Sequence, residues 1–307
     1  MDAPVLLEKL HKRGYLARVV KIERVAELES VISKLNAQGM FNPQFYQREL
    51  AHYLNFDYKS ILPGARSVIV MAAPQPPVYV NFGSHSVVIP PTYVYRDIWE
   101  GTLAALNGLL TPQGFKTARA RLPLKTLAVR SGLGHYGRNN ICYVPGMGSC
   151  HRLGAFYSDM PCDSDDWGEP HVMKLCQSCT LCLENCPTHC IRSERFLIDA
   201  GNCITYYNEY EDAFPGWLKP EWHNALLGCL VCQKVCPLNK AFMDKATTPE
   251  EVFTEEETRE ILGKTPLSEL SPETQAKLYR LCLSDSDVYP LVARNLSFLL
   301  RQKTQDT

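Results

Sequence analysis

A chain of 307 residues is long enough for one large core, or for a core with a smaller module attached. It is 45% hydrophobic and 21% charged, ordinary for a soluble globular protein, and no run approaches the roughly 20 apolar residues that span a bilayer. Its 32 basic and 33 acidic residues leave a net charge of −1, so the basic excess usual in nucleic-acid binders is absent.

The opening MDAPVLLEKLHKRGY mixes acids and bases and lacks the basic-then-apolar layout of a signal peptide, and no twin-arginine leader is seen. A cytoplasmic location is expected. Apolar spacing near 3.6 predicts helices over 4–13 and 23–37 (Val25, Leu28, Val31, Ile32, Leu35), around a strand at Tyr15–Val20. Arg66–Ala73 follows Pro63-Gly64 as a continuous apolar run and predicts a buried strand. Residues 74–92 read as a loop with a short strand at Ser86–Ile89. Helices follow at Tyr95–Leu110 and Leu124–Ser131, then a strand at Ile141–Val144. Ordinary periodicity is lost from 176 to 240. Residues 249–260 predict an acidic helix, and Ser271–Gln302 a pair of helices forming a hairpin. The alternation through residues 1–160 favours an α/β first domain. Lys116, Arg119, Arg121, Lys125 and Arg130 form a local basic cluster, whose plainer reading is a solvated face with its stems packed down.

Thirteen cysteines in a cytosolic chain exceed chance and sit in the wrong compartment for a disulfide scaffold, so most are expected to be metal ligands. The first group is Cys176-x2-Cys179-x2-Cys182-x3-Cys186-Pro187. Each x2 step returns a thiolate to one cubane, and the x3 step before proline turns Cys186 towards a second cluster. The second group, Cys229-x2-Cys232-x3-Cys236-Pro237, lacks a third leading cysteine, and Cys203 supplies it from upstream. The spacing therefore predicts two [4Fe–4S] clusters: cluster A on Cys176, Cys179, Cys182 and Cys236, and cluster B on Cys186, Cys203, Cys229 and Cys232. Zinc is the structural rival, since paired CxxC steps suit Zn–S4 sites, but two CxxxCP endings and a triple CxxCxxC argue against it. Cys142, Cys190 and Cys282 read as packed core thiols. Cys150 and Cys162 flank a loop near the expected substrate side.

Gly132-Leu133-Gly134-His135-Tyr136-Gly137 matches G-x-G-x-x-G literally. A dinucleotide fingerprint needs a strand before it and a helix after it; here the order is reversed, so NAD binding is rejected. The glycines must serve a tight turn, or the close approach of backbone to a large flat ligand.

Together these pieces resemble the epoxyqueuosine reductase family, which pairs a cobalamin with two [4Fe–4S] clusters and is related to reductive dehalogenases. The carrying residues are Leu62–Ile69 (LPGARSVI), Ser131–Asn139 (SGLGHYGRN), Cys176–Thr188, Cys203-Ile204-Thr205-Tyr206, and Gly228–Asn239 (GCLVCQKVCPLN). The resemblance implies an α/β (α+β) corrinoid and substrate domain over 1–165. It further implies a ferredoxin-like two-[4Fe–4S] module over 166–245 and a C-terminal helical segment over 246–307. It places a base-off cobalamin between the first domain and the module, with cluster B nearer the corrin. Gly132, Gly134, Gly137, Arg138, Thr205 and Tyr206 would then lie near the corrin or its tail.

The chain also departs from the family. An acidic proton donor in a D-S-x-P-x-L-E-R segment is replaced by Arg119-Ala120-Arg121-Leu122-Pro123-Leu124-Lys125, without a carboxylate. The family Trp is His135, the acid of its G-C-D-x-C step is Leu230, and the helical repeats that help hold tRNA in many relatives are not seen. Tyr93, Tyr95, His135, Tyr136 and His151 are candidate proton sources, with Asp97 and Asp159 as carboxylates from elsewhere. The expected function is a cytosolic corrinoid- and iron–sulfur-dependent reductase acting on a small substrate, with a ferredoxin- or flavodoxin-type electron donor and without a membrane or tRNA partner. Its alternatives are an electron-transfer protein that reduces a partner's corrinoid, and a tRNA epoxyqueuosine reductase.

Overall fold

The computed structural model describes residues 2–94, 96–243 and 250–303, with the side chains of Arg96, Asp97, Gln302 and Lys303 left aside. Its strands are β1 (Leu16–Lys21), β2 (Ser67–Pro74), β3 (Val78–Phe82), β4 (His85–Ile89), β5 (Thr117–Arg119), β6 (His135–Tyr136), β7 (Cys142–Tyr143), β8 (His151–Ser158) and β9 (Glu251–Phe253). The described chain divides into two compact units. Unit 1 comprises residues 1–74, 97–180 and 191–201; unit 2 comprises 75–96, 181–190 and 202–307.

Unit 1 is built on a sheet of order β1-β2-β8-β5, every pair antiparallel. β2 explains itself from its sequence: SVIVMAA is buried throughout, because both faces of the strand are covered. Val68, Val70 and Ala72 face the helices Arg24–Ala37 and Leu124–Arg130, whose Val25, Leu28, Leu127 and Ala128 fill that side. Ile69 and Met71 face the opposite way, onto Leu6 and Leu10 of Ala3–His11 and Leu106, Leu109 and Leu110 of Arg96–Leu110. The first helix starts where Asp2 accepts the Val5 N–H, with Pro4 placed where its missing N–H costs nothing. An antiparallel sheet with helices on both faces is α+β, the second half of the fold class read from the sequence.

Five strands went unread in the sequence: β3, β5, β6, β8 and β9. β8 (HRLGAFYS) is broken as a pattern by Gly154, yet it lies between β2 and β5. A Cβ at Gly154 would lie 2.8 Å from the Trp99 ring, so the glycine is required by a residue 55 positions away in the chain. β3 pairs antiparallel with β4 and parallel with β9 in unit 2.

That small sheet carries the second core. Phe82 stacks on Phe253 at 4.7 Å, and Leu226, Leu227, Ile261, Leu278, Leu291, Val292 and Leu296 close around them. The acidic segment is shorter as a helix than expected: Glu251–Phe253 is strand, and the helix runs Glu255–Leu262 behind a capping box of Thr254 and Glu257. Two helices occupy the tail, Pro272–Arg280 and Tyr289–Lys303. From the last of these, Asn295 donates to the carbonyls of Asn208 (3.0 Å) and Leu226 (2.9 Å). Its neighbour Arg294 donates to the carbonyls of Tyr207, Tyr210 and Asp212. The tail thus fixes the stretches that follow Cys203 and precede Cys229.

Candidate metal centre

In unit 2, the four cysteines expected to hold cluster B are drawn together by short, irregular pieces of chain. Cys186 ends the turn after helix Leu181–Glu184, and Cys203 opens helix Ile204–Asn208. Cys229 precedes helix Val231–Lys234, which contains Cys232. The thiol environments of Cys186, Cys203, Cys229 and Cys232 act on one another, which marks their proximity. Cys182 acts on Cys232 as well. Cys236 follows at the start of Pro237–Asn239. Cys176 and Cys179 belong to unit 1, around the turn Lys174–Gln177.

Each sulfur has its own electrostatic setting. Cys186 shares hydrogen bonds with the Cys190 thiol at 3.5 Å and the Thr188 hydroxyl at 3.7 Å, and the backbone N–H groups of Thr188 and Cys190 add to them as donors. These donors bring its pKa down to about 5 against the opposing effect of burial. Cys203 is lowered to about 7 by the Cys190 thiol, then by the hydroxyl and N–H of Thr205. Burial and the neighbouring Cys203 push Cys229 up to about 11, although Asn224 Nδ2 donates to its sulfur at 3.2 Å. Burial pushes Cys232 well above the ordinary value. A cluster carrying positive iron deprotonates every ligating thiol, so four neighbouring cysteines, two with lowered and two with raised pKa, suit a soft, multi-thiolate site. Among the described residues, no three His, Cys, Asp or Glu side chains converge as a single metal ion would require. Cubane ligands, in contrast, stand apart on separate irons.

Arg138 is engaged with the first cysteine group. Its guanidinium donates to the carbonyl of Cys179 at 3.2 Å and to that of Cys176, gripping the Cys176–Cys179 turn from the loop that follows Gly137. The glycines before it are explained inside their own loop. A Cβ at Gly134 would meet Tyr143 O at 2.7 Å and Cys142 Sγ at 2.8 Å, and one at Gly137 would meet the Asn139 side chain and the Tyr143 ring. Gly132 turns the chain at φ +72°. Thr205 is turned to Cys203, and Tyr206 is buried against Tyr207 and Tyr210. Each of these contacts lies within its own unit.

The remaining expected residues fall into place individually. Tyr93 is the candidate proton source beside the cysteines: its hydroxyl donates to the Glu209 carboxylate, and its environment includes Cys203 and Cys229. Burial first, then Glu209, hold its pKa well above the ordinary value. Sequence reasoning missed Glu209, since nothing in a pattern links it to a tyrosine 116 residues earlier. Tyr136 shares a hydrogen bond with Thr126 and is pushed by burial to about 12. His151 is buried, bonded to the Cys142 carbonyl at 3.1 Å, and lowered by burial to about 4. His135 lies against His171, and Asp159 accepts the Lys116 N–H. Tyr95 and the side chain of Asp97 lie outside the described residues. Burial raises Cys142 to about 12 and Cys150 to about 11, and Cys282 is buried. Cys162 is half-buried, with its thiol directed at the Ser164 carbonyl. Cys190 is buried too, yet its sulfur lies against a candidate ligand rather than in an apolar core. In the basic cluster, Arg119 stacks over Trp99, Lys125 donates to Asn140, and Arg130 pairs with Glu27 and Glu169. No described helix is long and apolar enough to cross a membrane.

Residues 175–239 match the model of the 4Fe-4S double cluster binding domain, a segment holding all eight cysteines expected to be cluster ligands. The chain is therefore a mixed α+β protein with a module for two [4Fe–4S] clusters. The epoxyqueuosine reductase-like family read from the sequence is the one the comparisons support. An epoxyqueuosine reductase of Cyclobacterium marinum is 31% identical over 173 residues, 56% of this chain and 53% of that one. The structure of epoxyqueuosine reductase from Streptococcus thermophilus has a TM-score of 0.66 at 18% identity, covering 98% of this chain and 81% of that chain. An epoxyqueuosine reductase solved with a modified tRNA stem loop has a TM-score of 0.64 at 21% identity, covering 97% and 80%. At such identities these structures show the fold. The chain spans about half the length of the first curated relatives it matches. The expectation that tRNA is no partner finds no support among these relatives.

Proposed function

We propose that the protein is a cytosolic, corrinoid- and iron–sulfur-dependent reductase acting on a small substrate. Residues 1–165 would serve the corrinoid and substrate, 166–245 the clusters, and 246–307 the support of that module. Cys176, Cys179, Cys182 and Cys236 would hold one cluster, and Cys186, Cys203, Cys229 and Cys232 the other. When bound, these groups supply single electrons and a strongly reducing cobalt centre. The chain's own residues do the rest: Arg138 orients one cysteine turn, Thr188 and Thr205 donate to ligand sulfurs, and Tyr93 holds a proton at Oη against Glu209. Electrons would come from a ferredoxin- or flavodoxin-type donor.

The observation that carries the substrate reading lies in β5 and the turn after it. Residues 117–130 contain no carboxylate; Arg119 is stacked on Trp99, and Leu122 is buried. Losing a positioned general acid typically costs 10²–10⁴-fold. The second reading, reduction of epoxyqueuosine in tRNA, is favoured by the names of the relatives and by the stem-loop complex. Anaerobic incubation with epoxyqueuosine-containing tRNA and a strong reductant, read by nucleoside mass spectrometry, separates the two. No multiple turnover is expected; repeated conversion to queuosine would replace the first reading with the second.

The corrinoid is tested apart from turnover. Incubation with hydroxocobalamin followed by gel filtration should give co-elution, with the spectrum of a displaced lower base. If corrinoid passes through unbound while about eight irons per chain are retained, the cobalamin part of the proposal fails. The electron-transfer alternative then gains, because it needs the clusters alone.

A further inference from the structure

The proposed ligand set leaves one buried sulfur beside cluster B with no assigned task. Cys190 is 4% exposed, and its Sγ lies 3.5 Å from Cys186 Sγ. Its thiol also faces Cys203, a ligand of the same proposed cluster. The chain is bent to bring it there. His189 takes φ +52°, a left-handed conformation that a non-glycine residue adopts at a cost, and its N–H closes the turn onto the Cys186 carbonyl at 3.1 Å. The Cys186–Cys190 loop therefore wraps one sulfur with two side-chain donors, Thr188 and Cys190, and two backbone N–H groups.

A ligand that has given up its proton to bind iron accepts hydrogen bonds, and a thiol left outside the ligand set keeps its proton and donates. Donors to cluster sulfurs stabilise the more negative, reduced state, and hydrogen bonds to the sulfurs are among the factors that set the potential of an iron–sulfur cluster. We propose that Cys190 is such a donor, holding its S–H against Cys186 and raising the reduction potential of the cluster bound by Cys186, Cys203, Cys229 and Cys232. The inference rests on the ligand assignment above. Its consequence is that cluster B is easier to reduce than it would be without this donor.

The test is a redox titration of the full chain, anaerobically reconstituted, followed by electron paramagnetic resonance, for wild type, Cys190→Ala and Cys190→Ser. All three should hold about eight irons and eight sulfides. In Cys190→Ala one midpoint should fall by up to a tenfold change in its reduction equilibrium, about 59 mV for a one-electron couple, while the other stays in place. Cys190→Ser keeps a donor at the same position and should recover most of the shift. Two unmoved midpoints in Cys190→Ala would overturn the proposal. Loss of about four irons in that variant would also overturn it, because Cys190 would then be a ligand rather than a donor. A separate Cys186→Ala variant tests the assignment beneath: if it keeps both clusters, the ligand reading fails irrespective of what Cys190 does.

Discussion

Replacing Arg138 by Ala removes two charge-assisted hydrogen bonds at once, to the carbonyls of Cys176 and Cys179. Bonds of this type contribute about 1.5–3 kcal/mol each. Both cysteines are only half-buried, so water replaces part of the loss and the lower figure applies, giving about 3 kcal/mol together. At 1.4 kcal/mol per tenfold, the ordered form of the turn becomes about a hundredfold less favoured. Two proposed ligands of cluster A then lose their shared anchor. Anaerobically reconstituted Arg138→Ala, challenged with a chelator, should fall from about eight irons towards about four per chain, with one paramagnetic species surviving. Arg138→Lys offers one point of contact in place of a planar fork and should fall between. Retention of both clusters under the same challenge would refute the anchoring role. Loss of corrinoid with both clusters intact would instead assign Arg138 to the corrin, as the resemblance implied.

Three further outcomes follow from the same geometry. Cys203→Ser should damage the cluster shared with Cys186, Cys229 and Cys232 and spare the other, read as iron content and spectrum; loss of both or neither would contradict the ligand partition. Gly228→Ala should lose about 2–5 kcal/mol in urea unfolding, because the position has φ +60° and a Cβ there overlaps the Tyr93 hydroxyl. Adding Tyr93→Phe should return part of it. His151 and His223 are each held by burial near pKa 4, against 6.5 when unfolded. Their depressed values mean that the stability they contribute is complete above pH 6.5 and is lost as pH falls towards 4, by about 3 kcal/mol each. Urea midpoints measured across that range should drop, and His151→Gln should flatten the profile; an unchanged slope in the variant would refute the assignment.

The parts of this molecule legible in its sequence are those governed by local spacing. The apolar run of β2 and the 3.6-residue periodicity of Arg24–Ala37 name their elements, and the two cysteine groups announce a double-cluster module. What escaped depends on distant partners. Gly154 looks like a break in a strand until Trp99 is seen to occupy its missing side chain. Cys190 reads as a core thiol because burial and proximity to Cys186 are indistinguishable in one dimension. The literal G-x-G-x-x-G could not tell by its spacing that Cys142, Asn139 and Tyr143 fill the room beside Gly134 and Gly137. The start of the acidic helix was within reach: Thr254-x-x-Glu257 is a capping signature, and it marks the helix beginning after Phe253.

The hydrogen bonds from Arg294 and Asn295 to the 207–212 stretch and to Leu226 bear on how the protein is made. Synthesis proceeds from the N-terminus, so Cys186, Cys203, Cys229 and Cys232 all leave the ribosome before the helix that braces their loops. For that interval the loops that carry them lack these hydrogen bonds. The last helix is thus the final piece to arrive, and a chain that stalls before residue 294 lacks the hydrogen bonds that hold the 207–212 stretch and Leu226.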